Sequence, residues 1–291
     1  MKALVLGAGG LLGSELMKQL PDAVGLTRAQ MSVTDLAAMN GALPHYEAKV
    51  VFNCAAYNAV DRAEAEQEAA YQVNAQGAFN VALACAQNGV RLIHFSTNFV
   101  FGGALDRPYV EADEVDPLGV YGKSKLEGEK LTAMVMPQAL IIRTAALFGG
   151  GGDGGRLSFP ERILERASAG ERLRVVSDQT VNPTYAADLA AAAIALASTD
   201  MDGVVHVTAG DCSSWDELAR ATLAEFGVSG EVEAVSSAEL AAPAPRPANG
   251  CLGSTRTEAL RPWREALAEW AQKHRHGTRA PLNQKGGNSP L

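Results

Sequence analysis

The 291-residue chain predicts an α/β protein: a doubly wound parallel sheet followed by a smaller C-terminal α+β portion. Three observations predict it. Short apolar runs alternate with segments of helical spacing, a glycine cluster follows the first run at once, and the pattern loosens after Phe148. Continuous apolar runs bounded by turn residues mark strands buried on both faces. Strands that alternate with helices mark parallel βαβ units, whose right-handed crossovers cover both sides of the sheet.

In chain order, strands are expected at Ala3–Leu6, Ala23–Leu26, Val50–Phe52, Leu92–Phe95 and Leu140–Ile142. Helices are expected at Leu11–Leu20, Leu36–Leu43, Ala63–Asn88 and Lys123–Met134. The run Gly149–Gly155 predicts a mobile loop, because glycine loses the most backbone freedom on ordering. Beyond it, Ala186–Ala197 predicts an alanine-rich helix and Val204–Val207 a strand. Trp215–Phe226 predicts a helix capped by Ser213 or Ser214, and Ala241–Pro247 an extended link. Trp263–His274 predicts an amphipathic last helix with Trp263 and Trp270, seven apart, on its core face. Residues 277–291 hold few apolar groups and predict a disordered tail. The expected partition gives residues 1–147 and about 172–200 to a dinucleotide-binding domain. About 148–171 and 201–276 then form a substrate-binding portion.

Composition narrows the function classes. A formal charge of −8 argues against a phosphate-backbone binder, so no nucleic-acid partner is expected. No uncharged run is long enough to span a membrane, and no signal-peptide pattern opens the chain, so a cytoplasmic protein is expected. Cys54, Cys85, Cys212 and Cys251 form no CxxC pair and read as small buried thiols of a reducing compartment. His45, His94 and His206 share no ligand spacing, so no metal is expected.

The loop Gly7-Ala8-Gly9-Gly10-Leu11-Leu12-Gly13 carries glycines at 7, 10 and 13. They serve a tight strand-to-helix turn, close backbone approach to a pyrophosphate and close helix–sheet packing, as in a Rossmann-type dinucleotide site. The helix N-terminus adds partial positive charge toward phosphates. Thr27-Arg28 ends the second strand where an acidic residue would hold an NAD ribose. Arg28 instead suits a 2′-phosphate, so NADPH is expected, with NADH as the alternative.

Tyr121 and Lys125 are four apart, so a helix points both the same way. A nearby ammonium favours phenolate and suits a tyrosine for giving a proton to a carbonyl oxygen. Ser96-Thr97 follow the fourth strand, where a hydroxyl can hold the substrate oxygen.

Glycine loop, Ser/Thr and YxxxK in that order resemble the extended short-chain dehydrogenase/reductase superfamily. Longer segments narrow the likeness. Ala55-Ala56-Tyr57-Asn58-Ala59-Val60-Asp61-Arg62-Ala63-Glu64 is similar to AAYTxVDxAE of the dTDP-4-dehydrorhamnose reductase family. Ser96–Phe101 is similar to its STDYVF, Pro117–Lys125 to PLNxYGxSK, Gln179–Thr184 to QxGxPT and Arg246–Asn249 to RPxNS. The likeness spans roughly residues 1–275.

The resemblance implies NADPH-dependent reduction of the 4-keto group of dTDP-4-dehydrorhamnose. Tyr121 would protonate the alkoxide, Lys125 would tune Tyr121 and hold the cofactor ribose, and Thr97 would orient the carbonyl. Asn53, Ala55, Ala56 and Tyr57 would line the cofactor cleft, and Asn74 would support it. Asp61, Glu64, Asn98, Phe99, Ala146 and Arg246 would face substrate, Arg246 as a phosphate ligand. A homodimer is a common assembly of the superfamily.

Departures cluster where substrate is expected. Asn98 stands for Asp, Phe99 for Tyr, Gly119 for Asn, Ala146 for Trp and Val181 for Gly. Gly250 and Gly253 stand for Ser and Asp, and Ser32 for an acidic residue near the adenine. Apart from Val181, these swaps each remove a polar handle or a large surface and read as a substrate pocket emptied of polar and aromatic bulk. They keep open another sugar nucleotide or carbonyl substrate, or an epimerase, and a non-catalytic dinucleotide-binding subunit.

Overall fold

The computed structural model describes residues 1–150 and 157–277. Strands β1 (Ala3–Leu6), β2 (Val24–Leu26), β3 (Val50–Asn53), β4 (Arg91–Thr97) and β5 (Leu140–Thr144) match the five expected runs. Helices α1 (Leu11–Gln19) and α2 (Leu36–His45) connect the first three strands. The expected Ala63–Asn88 helix is broken into α3 (Val60–Ala63), α4 (Gln67–Tyr71), a π-helical turn (Gln72–Gln76) and α5 (Gly77–Asn88). A π turn adds a residue to the spiral and often marks a functional site. Asn74 sits in that turn.

Helix α6 (Val120–Val135) begins three residues earlier than its apolar pattern suggests. The rest of the chain contributes β6 (Leu147–Phe148), α7 (Phe159–Ser168), β7 (Leu173–Val176), β8 (Thr180–Val181) and β9 (Thr184–Tyr185). Then come α8 (Ala186–Ala197), β10 (Gly203–His206), β11 (Ser213–Ser214), α9 (Trp215–Phe226), β12 (Val232–Val235), α10 (Ser237–Leu240) and α11 (Trp263–Gly277).

The central sheet has six strands in the order β10-β5-β4-β3-β1-β2, all parallel. Side chains alternate between its faces. Ala3 and Val5 of β1 pack with Leu12 and Leu16 of α1 and with Leu189, Ala190 and Ala193 of α8. Leu4 and Leu6 turn to the other face, against α2 and α5. Each fully buried leucine or valine contributes about 1.5–3 kcal/mol of transfer free energy. Alanines on α8 and α5 let these helices lie close to the sheet. A third cluster joins Phe148, Tyr185, Trp263 and Trp270, the expected core face of the last helix.

Two segments change sides relative to the expected partition. β10 pairs with β5 and completes the central sheet, because α8 crosses over and returns the chain to that edge. β7 pairs with β12 in a separate two-stranded sheet. The thiol expectation is also corrected. Cys212 and Cys251 form a disulfide, whereas Cys54 and Cys85 are free. β8 pairs with β11 and bridges to Asn249, which brings positions 39 apart in sequence to a Cα separation of 6.1 Å. That lies within bridging range, and spacing along the chain does not reveal it. Most of Gly149–Gly155 and nearly all of 277–291 lie outside the described residues. Among the described residues no helix is long and apolar enough to cross a membrane.

Candidate active site

A cavity of about 340 Å³ opens at the carboxyl ends of the central strands. Ligands of open α/β sheets collect at that end. One end of the cavity is the glycine loop. Gly7 follows β1 with φ +76°, and a Cβ there would lie 2.9 Å from the Ala55 nitrogen. A Cβ on Gly13 would lie 2.3 Å from the Gly7 carbonyl oxygen. Side chains are therefore excluded from both positions, and α1 starts tight against the turn. Gly10 is the N-cap of α1 and offers no capping side chain, so the first helical N–H groups face the cavity unmasked. Gly10, Leu11, Leu12 and Gly13 line it. A cradle of bare backbone at a helix N-terminus fits a dinucleotide pyrophosphate.

Gly9 and Arg28 lie at the surface beside that cradle. A Cβ on Gly9 would lie 3.6 Å from the Thr27 methyl group, and Arg28 is exposed just past β2. Asn53 and Tyr57 do not line the cavity. Asn53 is buried, hydrogen bonds His94 at 3.1 Å and accepts from the Ala55 N–H. Ala56 reaches the cavity. Asn74 clamps Tyr57: its Oδ1 accepts from the Tyr57 N–H at 2.8 Å and its Nδ2 donates to the Tyr57 carbonyl at 2.9 Å. The same Nδ2 donates to Ser124 Oγ at 3.0 Å, and Ser124 donates to the Tyr121 carbonyl. Asn74 thus ties the Tyr57 segment to the helix that carries Tyr121 and Lys125. The Tyr57 hydroxyl donates to Glu66.

At the other end of the cavity, α6 presents Tyr121 and Lys125, and β4 presents Thr97. Lys125 is 2% exposed, and its ammonium donates to the Phe95 carbonyl at 2.6 Å. Burial pulls its pKa from 10.5 down to about 8, against the opposing pull of Glu129 and Cys54. Burial likewise holds His94 well below its ordinary range, with the Lys125 charge adding to the effect. The Thr97 hydroxyl accepts from the Phe99 N–H at 3.2 Å and donates to Asn98 Oδ1 at 3.3 Å. Phe99 meets the Tyr121 ring edge-on at 5.4 Å.

The departures prove to be coupled. Asn98 is buried and donates from Nδ2 to the Gly250 carbonyl at 2.9 Å. A Cβ on Gly250 would fall 2.5 Å from that same nitrogen. An aspartate at 98 has no donor for this carbonyl, and a serine at 250 would collide with the amide. Gly119 behaves alike: a Cβ there would meet Glu64 Oε1 at 2.7 Å. Glu64 accepts from the Val120 N–H at 2.8 Å and so caps α6, whose own N-cap offers no side chain. Emptied space is therefore not the reading at 119 and 250, where Glu64 and Asn98 fill the volume.

Asp61 and Arg246 pair with each other at 2.9 Å, and neither lines the cavity. Glu64 does not line it either. Ala146 does, with a left-handed φ of +42°. Sequence reasoning missed the far wall: Leu157, Ser158, Phe159 and Arg162 from the start of α7, and Trp215 from the start of α9. Phe159 and Trp215 pack at 4.8 Å, which places an indole in the cavity from a different element than position 146. Ser214, which caps α9 by accepting from the Glu217 N–H, was a legible signal for the helix but not for the site.

A family model described as the RmlD substrate binding domain matches residues 1–276. The chain belongs to this family. A dTDP-4-dehydrorhamnose reductase of Mycobacterium tuberculosis is 42% identical over 92% of this chain and 91% of that protein. The spore coat polysaccharide biosynthesis protein SpsK of Bacillus subtilis is 40% identical over 94% and 97%. The crystal structure of a dTDP-4-dehydrorhamnose reductase from Bacillus anthracis in complex with NADP superposes with a TM-score of 0.89 at 30% identity, covering 94% of this chain and all of that one. Family membership and the shared fold extend over both the sheet and the C-terminal portion.

Proposed function

We propose that this chain is an NADPH-dependent reductase of the 4-keto group of a nucleotide-activated deoxysugar, acting on dTDP-4-dehydrorhamnose to give dTDP-L-rhamnose. The observation that carries the reading is one cavity with the bare glycine cradle at one end and Tyr121, Lys125 and Thr97 at the other. NADPH supplies the hydride when bound, and sugar C4 receives it.

The protein's own groups handle the oxygen. Thr97, held by the Phe99 N–H, presents its hydroxyl where the carbonyl oxygen docks. Tyr121 gives its phenolic proton to that oxygen as negative charge develops, and regains one from solvent. Lys125 places a positive charge beside the phenol, which favours proton release. Its bond to the Phe95 carbonyl keeps the ammonium aimed along the strand end. Gly10–Gly13 take the pyrophosphate, and exposed Arg28 takes a 2′-phosphate. Phe159 and Trp215 give the sugar an apolar wall.

Ala146 favours a second reading in which a different dTDP-4-keto sugar is the better substrate, since it leaves one wall without a side chain beyond Cβ. The test is turnover of a panel of nucleotide 4-keto-sugars with NADPH, with the product's C4 configuration read by NMR. Fastest turnover of dTDP-4-dehydrorhamnose is expected. A faster analogue would favour the second reading. No turnover of any member, with NADPH binding demonstrated, would overturn both. The proposal sets this chemistry in the cytoplasm and includes a homodimer, which light scattering of the purified chain checks.

A further inference from the structure

We propose that Glu129 is a positioning residue of this site: paired with Arg143, it pins the Ser96 hydroxyl and so holds the strand end that carries both the carbonyl partner of Lys125 and the hydroxyl of Thr97. The inference rests on the reduction chemistry assigned above to Tyr121, Lys125 and Thr97.

Tyr121, Lys125 and Glu129 are spaced by four along α6 and share one face. Glu129 and Arg143 are 4% and 5% exposed, and Glu129 receives two bonds from the guanidinium, at 2.9 and 2.6 Å. Ser96 stands directly across from Arg143 in the β4–β5 register and donates to Glu129 Oε1 at 2.5 Å. Its neighbours in sequence are Phe95, whose carbonyl takes the Lys125 ammonium, and Thr97. One carboxylate therefore braces the segment that orients both groups.

Stability alone is a poor account of this pair. Apolar side chains of similar volume often replace a buried ion pair at no cost, because desolvating both charges offsets their attraction. Arg143 even keeps one buried nitrogen, Nη1, without a partner, while its guanidinium lies over the Phe101 ring at 5.2 Å. The charge has a second use. Lys125 is faced by Tyr121 and Glu129 from its own helix, by Cys54 at the end of β3 and by His94 from β4. Arg143 approaches from β5 and is bound to Glu129. Burial keeps Cys54 and His94 in their neutral forms, which leaves Glu129 as the carboxylate that holds the proton on Lys125.

Two substitutions separate the two uses. Glu129→Gln keeps an acceptor for Ser96 and removes the charge. Its alkaline limb in kcat/KM is expected to move down by about one pH unit. Ser96→Ala keeps the charge and removes the brace. Its kcat is expected to fall roughly tenfold at every pH, with the limb unmoved and the NADPH Kd within about twofold. If Glu129→Gln does not fold, Glu129→Gln/Arg143→Met removes the unpaired charge as well and is expected to show the same downward shift. The pH dependence of NADPH affinity supplies an independent readout, because the Lys125 ammonium holds the ribose. Its loss with rising pH is expected to set in about one pH unit earlier in the charge variant, even in a chain that reduces no keto sugar. Folded variants with the parental pH profile, parental NADPH titration and parental kcat would overturn the proposal, and a change confined to Tm would do the same.

Discussion

The two ends of the cavity are built from different materials. At the cofactor end the shape is set by backbone: Gly7, Gly10 and Gly13 work because nothing projects from them, and a Cβ at 13 meets a carbonyl oxygen at 2.3 Å. At the other end side chains line the cavity, among them Asn98, whose amide is paired with the Gly250 carbonyl, while two further pairs, Glu64 with Val120 and Asp61 with Arg246, lie outside the lining. A backbone-built site fails at one position at a time. A pair-built site changes by compensated swaps, because replacing one member leaves a buried group unpaired or a volume overfilled. The second kind can drift toward new substrates while the first stays fixed.

Five substitutions, two of them also combined, break or sharpen that contrast. Tyr121 is the proposed proton donor and belongs to neither set. Tyr121→Phe should lower kcat by about 10³-fold with the NADPH Kd unchanged, as steady-state rates and fluorescence titration will show. Gly13→Ala attacks the backbone end. NADPH affinity should fall by about 10²-fold, close to 2.7 kcal/mol, in calorimetric titration, with α1 still formed by circular dichroism.

Asn98→Asp attacks a pair. It removes the donor to the Gly250 carbonyl and should cost about 1–3 kcal/mol in kcat/KM for the keto sugar. Because Gly250→Ser alone would collide with the amide, the double variant should recover part of both losses. A coupling free energy near zero in that cycle would mean the two positions act independently. The smallest effect belongs to the exposed Arg28. Arg28→Gln should reduce the NADPH-over-NADH preference by roughly fivefold, about 1 kcal/mol, without altering kcat.

The pH profile follows from Lys125. Its folded pKa of about 8 lies below the ordinary 10.5, so the ammonium is present at neutral pH and lost as pH rises through 8. Activity that needs the charge should decline there. The same shift means the unfolded chain binds more protons between these values, so this group's contribution to stability rises with pH over that window.

The glycine loop and the Tyr121–Lys125 pair were legible in the sequence because each requirement is local. A turn, a cradle and a helix start fall within Gly7–Gly13, and Tyr121 and Lys125 lie one turn apart. Five strands and the last helix were legible for the same reason, since burial alternates over a few residues. The pairs were not legible, because residues 98 and 250, or 61 and 246, meet only through the packing of the C-terminal portion on the sheet. Glu64 read as a substrate contact but caps α6 from the turn that follows α3, which also explains why α6 starts before its apolar pattern. Trp215 was seen as the start of a helix, yet nothing near it in sequence shows that this start faces the cavity. The Cys212–Cys251 pair was hidden by the same long-range pairing around β8.

The central claim is that this cavity moves hydride from nicotinamide to sugar C4 while Tyr121 supplies the proton. Single-turnover reduction of dTDP-4-dehydrorhamnose with C4-deuterated NADPH, read by NMR of the product, tests it most directly. Deuterium at sugar C4 in the wild-type product, with no product from Tyr121→Phe on the same timescale, is the predicted result. Product without deuterium at C4, or bound NADPH that stays unoxidised beside the keto sugar, would contradict it.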